Sequence, residues 1–496
     1  MDANKGTTDQ PDMRSRLCAR EFVGSDVRDD VFAPTPPLVA TKLLLSECAC
    51  RAKSQEERRK VECTVKGGTQ SKKEEIRLMI IDVKRAFLYG RMKRKVYIKL
   101  PAEDPRSKEP NTLGRLVRAM YGTRDAPQIW AEEVRRVMES MSFVASVSHP
   151  CVFNHPAREV QVVAHVDDFL FVGPRGELEK CYTDLRKEFE IKKEIVGPGV
   201  DEVSESKFLG RTIRWTRAGI EYEADSKHVH NLLQDWAMEG CKPVCSPGAT
   251  AEDSSTQRKM RELDEKLLDG SRARAYRAAA ARFNYLSLDR MDLGFSSKEL
   301  SRKMASPSEA DEVRLKRAVR YVQGRPRATH LFKWQDHRDD LVCQVDSDWA
   351  GCTRTRRSTS GGVIFRGGHV LGPWSRTQAT VALSSGEAEL NAALKGGAEL
   401  LGLRELLREW GREPTLTVQG DSVACKGTLQ REGAGRQKHL EVRQLWMQEH
   451  IKRGHIHFQK IPRATNSADA LTKHWGPDGH GHFLRANFSP LPGSPA

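Results

Sequence analysis

Two adjacent carboxylates, Asp167 and Asp168, sit between two short apolar runs, VQVVA at 160–164 and FLFVG at 169–173. A solvated turn is the plain use for such a pair, because Asp is a common turn residue. A third carboxylate, Asp82, stands near the end of another apolar run, LMIIDV at 78–83. Anionic groups gathered beside apolar strands repel one another and lose hydration, so they persist where a cation sits among them. Hard carboxylate oxygens favour Mg2+, which keeps some of its waters and takes its remaining ligands from phosphates. That arrangement suits two-metal phosphoryl transfer, in which one ion activates the attacking oxygen and the other stabilises the leaving one.

A second set of carboxylates lies downstream. Asp346 ends the run LVCQVD at 341–346, and Asp421 follows TLTVQG at 415–420. Glu389 falls within VALSSGEAELNAAL at 381–394, and Asp469 within NSADALTK at 466–473. The elements that must position both sets are visible in the pattern. Dense Val, Leu and Phe bounded by polar and Gly/Pro positions predicts a β-hairpin with Asp167 and Asp168 at its turn, beside a strand carrying Asp82. Strands are predicted to end at Asp346 and Asp421, with GGVIFR at 361–366 and HVLGPWS at 369–375 as antiparallel strands. A long helix is predicted from Ser384 or Ser385, either of which can cap it, to Trp410, with Leu390, Leu394 and Leu401 along one face. Further helices are predicted at 177–190, 228–238, 275–287, 293–304 and 314–324, and a hairpin over 207–223.

Four of these stretches together resemble the reverse transcriptase of copia-type retrotransposons: DVKRAFL at 82–88, LVRAMYG at 116–122 with Ala126, Pro127 and Trp130, VDDFLFVG at 166–173, and KFLG at 207–210. CKPVCSP at 241–247 resembles the family's linker, and the downstream carboxylates match its ribonuclease H region in order and context. The resemblance spans roughly residues 13–475. It implies an α/β (α+β) architecture: a fingers–palm polymerase domain with an antiparallel palm sheet, a helical connection, and a mixed-sheet ribonuclease H domain. The boundaries expected are a disordered 1–12, fingers and palm over 13–240 with a charged insertion at 48–75, linker and helical thumb over 241–335, ribonuclease H over 340–475, and a disordered Gly/Pro/Ser-rich tail at 476–496.

The same resemblance implies the site residues. Asp82, Asp167 and Asp168 would hold two Mg2+ ions in the polymerase, with Mn2+ as a substitute, and Asp346, Glu389, Asp421 and Asp469 would hold two in the nuclease. Arg16, in the basic strand RSRLCAREF at 14–22, would face the nucleotide triphosphate. Val83 would offer a backbone contact, Phe87 would stand where the family's sugar-sensing aromatic gate lies, and Tyr121, Gly122, His165 and Gly210 would line the nucleotide and primer. His439 would assist the nuclease, while Glu387 and Asp348 rank below their neighbours. Two departures stand out: Asp125 replaces an uncharged polar residue expected near template and nucleotide, and His165 stands where relatives usually have Tyr. The partners implied are an RNA template, a DNA primer, their RNA–DNA hybrid and deoxynucleoside triphosphates, beside other Pol or Gag products.

Composition agrees with an acidic polymer as partner. Over 496 residues the formal net charge is +15. No apolar run reaches membrane-spanning length and the N-terminus has no signal-peptide core. Eleven scattered cysteines without C-x-x-C pairs read as reduced thiols, so an intracellular location, cytoplasm or nucleus, is expected. The alternative is a decayed or domesticated fragment with an inactive polymerase, retaining ribonuclease H or only nucleic-acid binding. The charged insertion, and a match that begins only at the basic strand so that the fingers are short, favour it. The full set of carboxylates opposes it, because a pure binder gains nothing from anions beside a phosphate backbone.

Overall fold

The computed structural model describes residues 2–4, 13–15, 17–21, 33–64, 75–249, 254–435, 438–476, 479, 483–484 and 487–488. The chain folds as two units, one of Met1–Pro37 with Glu74–Ile195, the other of Leu38–Lys73 with Val196–Ala496.

The first unit is built on a six-stranded sheet in the order Ile191–Val196, Ile76–Val83, Asp168–Pro174, Val160–His165, Val152–His155, Val144–Ala145. From Ile76–Val83 onward the neighbours pair antiparallel. In Ile76–Val83 every residue is buried except Asp82, so the apolar run is a central strand and the carboxylate marks where it meets solvent. Helices Ala126–Ser140 and Arg175–Glu188 supply Trp130, Val134, Val137 and Met138, then Leu178, Cys181 and Leu185, to a core shared with Met79, Ile81, Phe169 and Phe171. Spacings of three and four residues put each apolar set on one helix face, and Pro127 fits the first turn of its helix, where an N–H has no partner to lose.

The second unit holds two sheets. Glu205–Phe208, Arg211–Trp215, Gly219–Ala224 and Thr329–Lys333 form an antiparallel one. The other is mixed, in the order His369–Thr377, Thr359–Arg366, Asp340–Ser347, Thr415–Gly420, His457–Lys460, with the first two pairings antiparallel and the last two parallel. Helix Ser385–Glu409, capped by Ser384, crosses this sheet and buries Leu390, Leu400, Leu403 and Leu407. Helices Gly270–Leu286, Gly294–Ser301 and Glu309–Gly324 pack around Tyr276, Phe283, Leu315 and Val319. The mixed α/β class and the antiparallel and mixed sheets are those expected from sequence.

Four segments differ from the sequence reading, each through partners that local composition does not reveal. Helix Leu38–Thr64, which contains the head of the 48–75 charged stretch, belongs to the second unit. There Leu43, Leu44, Leu45, Cys48 and Cys50 are fully buried, and the helix packs on strands Gly219–Ala224, Thr329–Lys333 and His369–Thr377. Its charges are matched far along the chain: Lys42 Nζ lies 3.0 Å from Asp289 Oδ1, and Arg366 Nη1 lies 2.8 Å from Glu47 Oε2. The tail from 476, read as disordered, places Phe483, Leu484 and Phe488 in a core with Met291, Val363 and Leu471. Within the 241–335 linker and thumb region a helix not among those expected spans Ser254–Asp264, tied to the helix Glu309–Gly324 by Arg314 on Asp264. In 1–12, read as disordered, Asp2–Asn4 pair antiparallel with Met13–Ser15. A ladder uses backbone groups alone, which an apolar-pattern reading does not register.

Candidate active sites

In the first unit Asp82 and Asp168 are direct cross-strand partners. Side chains opposite one another in an antiparallel pair share a face, so these two carboxylates stand together. Asp167 occupies the two-residue turn between His165 and Asp168, which pair as its closing residues. That turn is pinned from both sides. Val83 N–H donates to the Asp167 carbonyl at 2.9 Å, and the buried Trp130 donates its Nε1–H to the Val166 carbonyl at 2.6 Å. Val166 takes φ 53°, a left-handed turn conformation strained for a β-branched residue. Burial pushes the Asp168 carboxyl up to about 6, with Asp167 and then Asp82 adding like-charge repulsion. Such a group gains from a nearby cation. Replacing Trp130 with Phe keeps the packing and removes the donor to the turn. For the primer extension that the family resemblance implies, the expected change is roughly tenfold slower turnover with only about 1 kcal/mol of stability lost, read by extension kinetics beside urea unfolding.

The other residues expected around the nucleotide divide between the two units. Phe87 lies half-buried in the 3-10 turn Ala86–Tyr89, edge-on to Tyr121 with ring centroids 4.9 Å apart. Gly122 has φ +86°, and a Cβ there would meet the Ala19 carbonyl oxygen at 2.0 Å, so only glycine fits where Ala19 N–H donates to the Tyr121 carbonyl. Gly210 lies in the second unit, with φ +69° beside Leu209 at φ 50°, the two left-handed positions of a tight hairpin turn between Phe208 and Arg211. Arg16 lies outside the described residues. Asp125, expected beside template and nucleotide, is buried, and Arg94 donates to both of its oxygens at 2.7 and 3.1 Å while also reaching Glu21 at 2.7 Å. It braces the first unit internally.

In the second unit the strand Asp340–Ser347, the helix Ser385–Glu409 and the end of Thr415–Gly420 bring Asp346, Glu389 and Asp421 together. Their oxygens lie within 4.8 Å of one another, and among the described residues this is the cluster of three groups able to hold a metal ion. Asp346 and Glu389 are buried. Thr472 Oγ1 donates to Asp346 Oδ2 at 2.5 Å, and Ser347 N–H donates to Glu389 Oε1 at 3.2 Å. Burial lifts Asp346 to about 6, with Asp469 and Asp421 adding to the shift. Burial, then Asp346 and Asp421, lifts Glu389 to about 8.

Asp469 is close enough to raise Asp346, yet its oxygens already accept from Arg463 at 3.0 Å, Trp475 at 2.7 Å and Lys473. Glu387 frames the site: its Oε2 accepts from Leu383 N–H at 2.8 Å and lies 3.0 Å from His439 Nε2. Asp348 accepts from the Thr359 N–H and holds the loop after Asp346. Thr472, Arg463 and Lys473 are site residues that sequence reasoning missed. Only the i,i+4 spacing of Asp469 and Lys473 could have pointed to one of them.

Two carboxyls raised by burial and mutual repulsion have a consequence for stability. Their folded pKa values, about 6 and about 8, lie above the ordinary 3.8 and 4.5. The folded state therefore binds more protons, and the stability this contributes is present below pH 4 and lost as pH rises through 6 to 8. Without divalent cation the unfolding temperature should fall by several degrees between pH 5 and pH 8.5. Added Mg2+ should raise it more at pH 8.5 than at pH 5. A thermal-shift series in EDTA and in Mg2+ checks both, and an equal Mg2+ effect at the two pH values would refute the argument.

Comparison with known proteins gives part of the chain a family context. The family described as Reverse transcriptase (RNA-dependent DNA polymerase) matches residues 69–250. The chain is 28% identical over 405 residues to the retrovirus-related Pol polyprotein from transposon TNT 1-94 of Nicotiana tabacum, covering 79% of this chain and 29% of that protein. It is 31% identical over 241 residues to an uncharacterized mitochondrial protein of Arabidopsis thaliana, covering 48% of this chain and 92% of that one. Among solved structures, the foamy viral protease-reverse transcriptase in complex with double-stranded DNA aligns with a TM-score of 0.47 at 12% identity, over 78% of this chain and 56% of that chain. The chain spans less than a third of the length of the transposon Pol polyproteins it matches.

Proposed function

The chain belongs to the reverse transcriptases of copia-type transposon Pol polyproteins, and from that premise we propose that it extends a DNA primer on an RNA template and then degrades the RNA of the hybrid. The observation that carries the polymerase half is the cross-strand pairing of Asp82 with Asp168, with Asp167 on the turn between strands. The nuclease half is supported by the convergence of Asp346, Glu389 and Asp421.

The donor sets suit Mg2+, with Mn2+ as a substitute. They offer hard carboxylate oxygens, and burial together with repulsion leaves their charge in need of a cation. Asp346, Glu389 and Asp421, with Asp469 beside them, would hold it in the nuclease site, where their oxygens already converge; Asp82 and Asp168, with Asp167 on the adjoining turn, would draw closer around it in the other. When bound, the cation supplies Lewis-acid stabilisation of phosphoryl oxygens and a lower pKa for the attacking hydroxyl. The chain's own residues do the positioning. Trp130 and Val83 hold the Asp167 turn in place, so the carboxylates need little reorganisation when substrate arrives. Phe87, five residues beyond Asp82, forms an aromatic pair with Tyr121 that would border the sugar of the incoming deoxynucleoside triphosphate. His165 and Gly122 would border nucleotide and primer, and His439, held against Glu387, would meet the RNA strand or its product.

Among the described residues no helix is long and apolar enough to cross a membrane, and a net charge of +15 favours nucleic acid. The test is Mg2+-dependent primer extension on an RNA template beside cleavage of an RNA–DNA hybrid, both with the full chain. Cleavage without extension would limit the chain to the nuclease. Hybrid binding with neither activity would leave it a binding protein.

A further inference from the structure

Three residues beyond Asp346, the indole of Trp349 is 56% exposed yet held in one orientation, because its Nε1–H donates to the Ala382 carbonyl at 3.1 Å. The loop beneath it is fixed as well. Asp348 N–H donates to the Thr359 carbonyl at 3.0 Å and Ala350 N–H to Ser358 Oγ at 3.0 Å, with Ala350 at φ 54°. On the other side Val381 and Leu383 flank Ala382 and are themselves exposed. Leu383 is tied to Glu387 of the helix that carries Glu389. An apolar ridge therefore joins the segment after Asp346 to the segment before Glu389. Arg354, Arg356 and Arg357 stand exposed on the same loop as Trp349.

Single exposed apolar residues are ordinary. A rigid aromatic beside a carboxylate cluster, on a loop that also carries three exposed arginines, is not, since stacking surface plus cations is the combination that holds a nucleic-acid strand. We propose that Trp349 is a positioning residue for the nuclease, its ring lying on the sugars of the minor groove of an RNA–DNA hybrid and setting which phosphodiester meets Asp346, Glu389 and Asp421. The inference rests on the nuclease reading of that cluster. An A-like duplex closes its deep major groove to side chains and presents a wide, shallow minor groove lined by sugars and 2′-hydroxyls. A flat ring projecting from the site matches that surface, and because the ring is already fixed, little rotamer entropy is lost on contact.

The test compares wild type, Trp349→Ala and Trp349→Phe by anisotropy of a labelled hybrid in EDTA, by KM and kcat for its cleavage in Mg2+, and by mapping the cut positions. Trp349→Ala should weaken binding and raise KM roughly tenfold. Its kcat should change little, its cut positions should spread, and its unfolding temperature should match wild type. Trp349→Phe should recover most of the affinity and the register. Equal binding and cutting by all three proteins overturns the role of Trp349 and leaves the nuclease standing, as does a loss confined to kcat. A wild type that binds the hybrid in EDTA but never cuts it in Mg2+ or Mn2+ overturns the nuclease reading and the positioning role together.

Discussion

Asp168→Asn is expected to lower primer extension by roughly a thousandfold or more while leaving hybrid cleavage nearly unchanged, and Glu389→Gln to do the reverse. Each substitution keeps the side chain's size and one oxygen, so in Glu389→Gln the amide oxygen can still accept the N–H of Ser347 that Glu389 Oε1 accepts at 3.2 Å. What is lost is one negative charge from a set whose role is to hold a cation. A contribution of several kcal/mol from metal-centred charge stabilisation at about 1.4 kcal/mol per tenfold in rate gives the expected factor. Folding runs the other way. Asp168 and Glu389 are raised to about 6 and about 8 by burial and by their carboxylate neighbours, so neutralising either relieves repulsion in the metal-free protein. A lost activity with an unchanged or higher unfolding temperature separates chemistry from misfolding. Extension that survives Asp168→Asn, or both activities lost together in either variant, would refute two independent carboxylate sites.

What the sequence made legible was local. Asp82, Asp167 and Asp168 could be placed because apolar strands of ordinary length carry them, and the register then sets Asp82 opposite Asp168. Two residues turn a helix by about 200°, so Glu387 and Glu389 point to different sides, and the ELNA pattern beginning at Glu389, which the family resemblance carries, decided between them. In the structure Glu387 indeed faces Leu383 and His439. What was hidden depends on partners distant in sequence. Asp125 reads as a charge near the template, but Arg94, thirty-one positions earlier, takes both of its oxygens. Asp469 reads as an equal of the other three nuclease carboxylates, and nothing in NSADALTK shows that Arg463 and Trp475 already donate to it. The tail reads as unstructured because Gly and Pro dominate it, while Phe483 and Phe488 are buried by Met291, Val363 and Leu471 from other segments.

Asp289→Ala should destabilise the second unit by about 3–5 kcal/mol, the cost of leaving buried charge without its counter-ion. Asp289 is 1% exposed and lies between two cations, Lys42 at 3.0 Å and Arg211 at 2.9 Å, themselves only 1% and 7% exposed. Burial opposes its charge, but Lys42 and Arg211 hold its carboxyl below the ordinary range. With a depressed folded pKa, its contribution is present above about pH 4 and lost as pH falls below that. Nearby His330 adds no third cation to be balanced, since burial keeps that ring neutral with a pKa of about 4. Lys42 is the link to helix Leu38–Thr64: it also donates to the Leu288 carbonyl at 3.0 Å, and one turn later Ser46 meets His369 at 2.8 Å. Without Asp289 the buried ammonium keeps the Leu288 carbonyl but has lost its counter-ion. The double variant Lys42→Met with Asp289→Leu removes two charges at once and should recover more than half of the loss, because a buried ion pair is replaceable by apolar side chains of similar volume. Thermal unfolding of the full chain, followed by tryptophan fluorescence, should show Asp289→Ala lowered by roughly 10 °C and the double variant between it and wild type. A double variant no better than Asp289→Ala would mean that Arg211, not the anchor of the helix, carries the interaction.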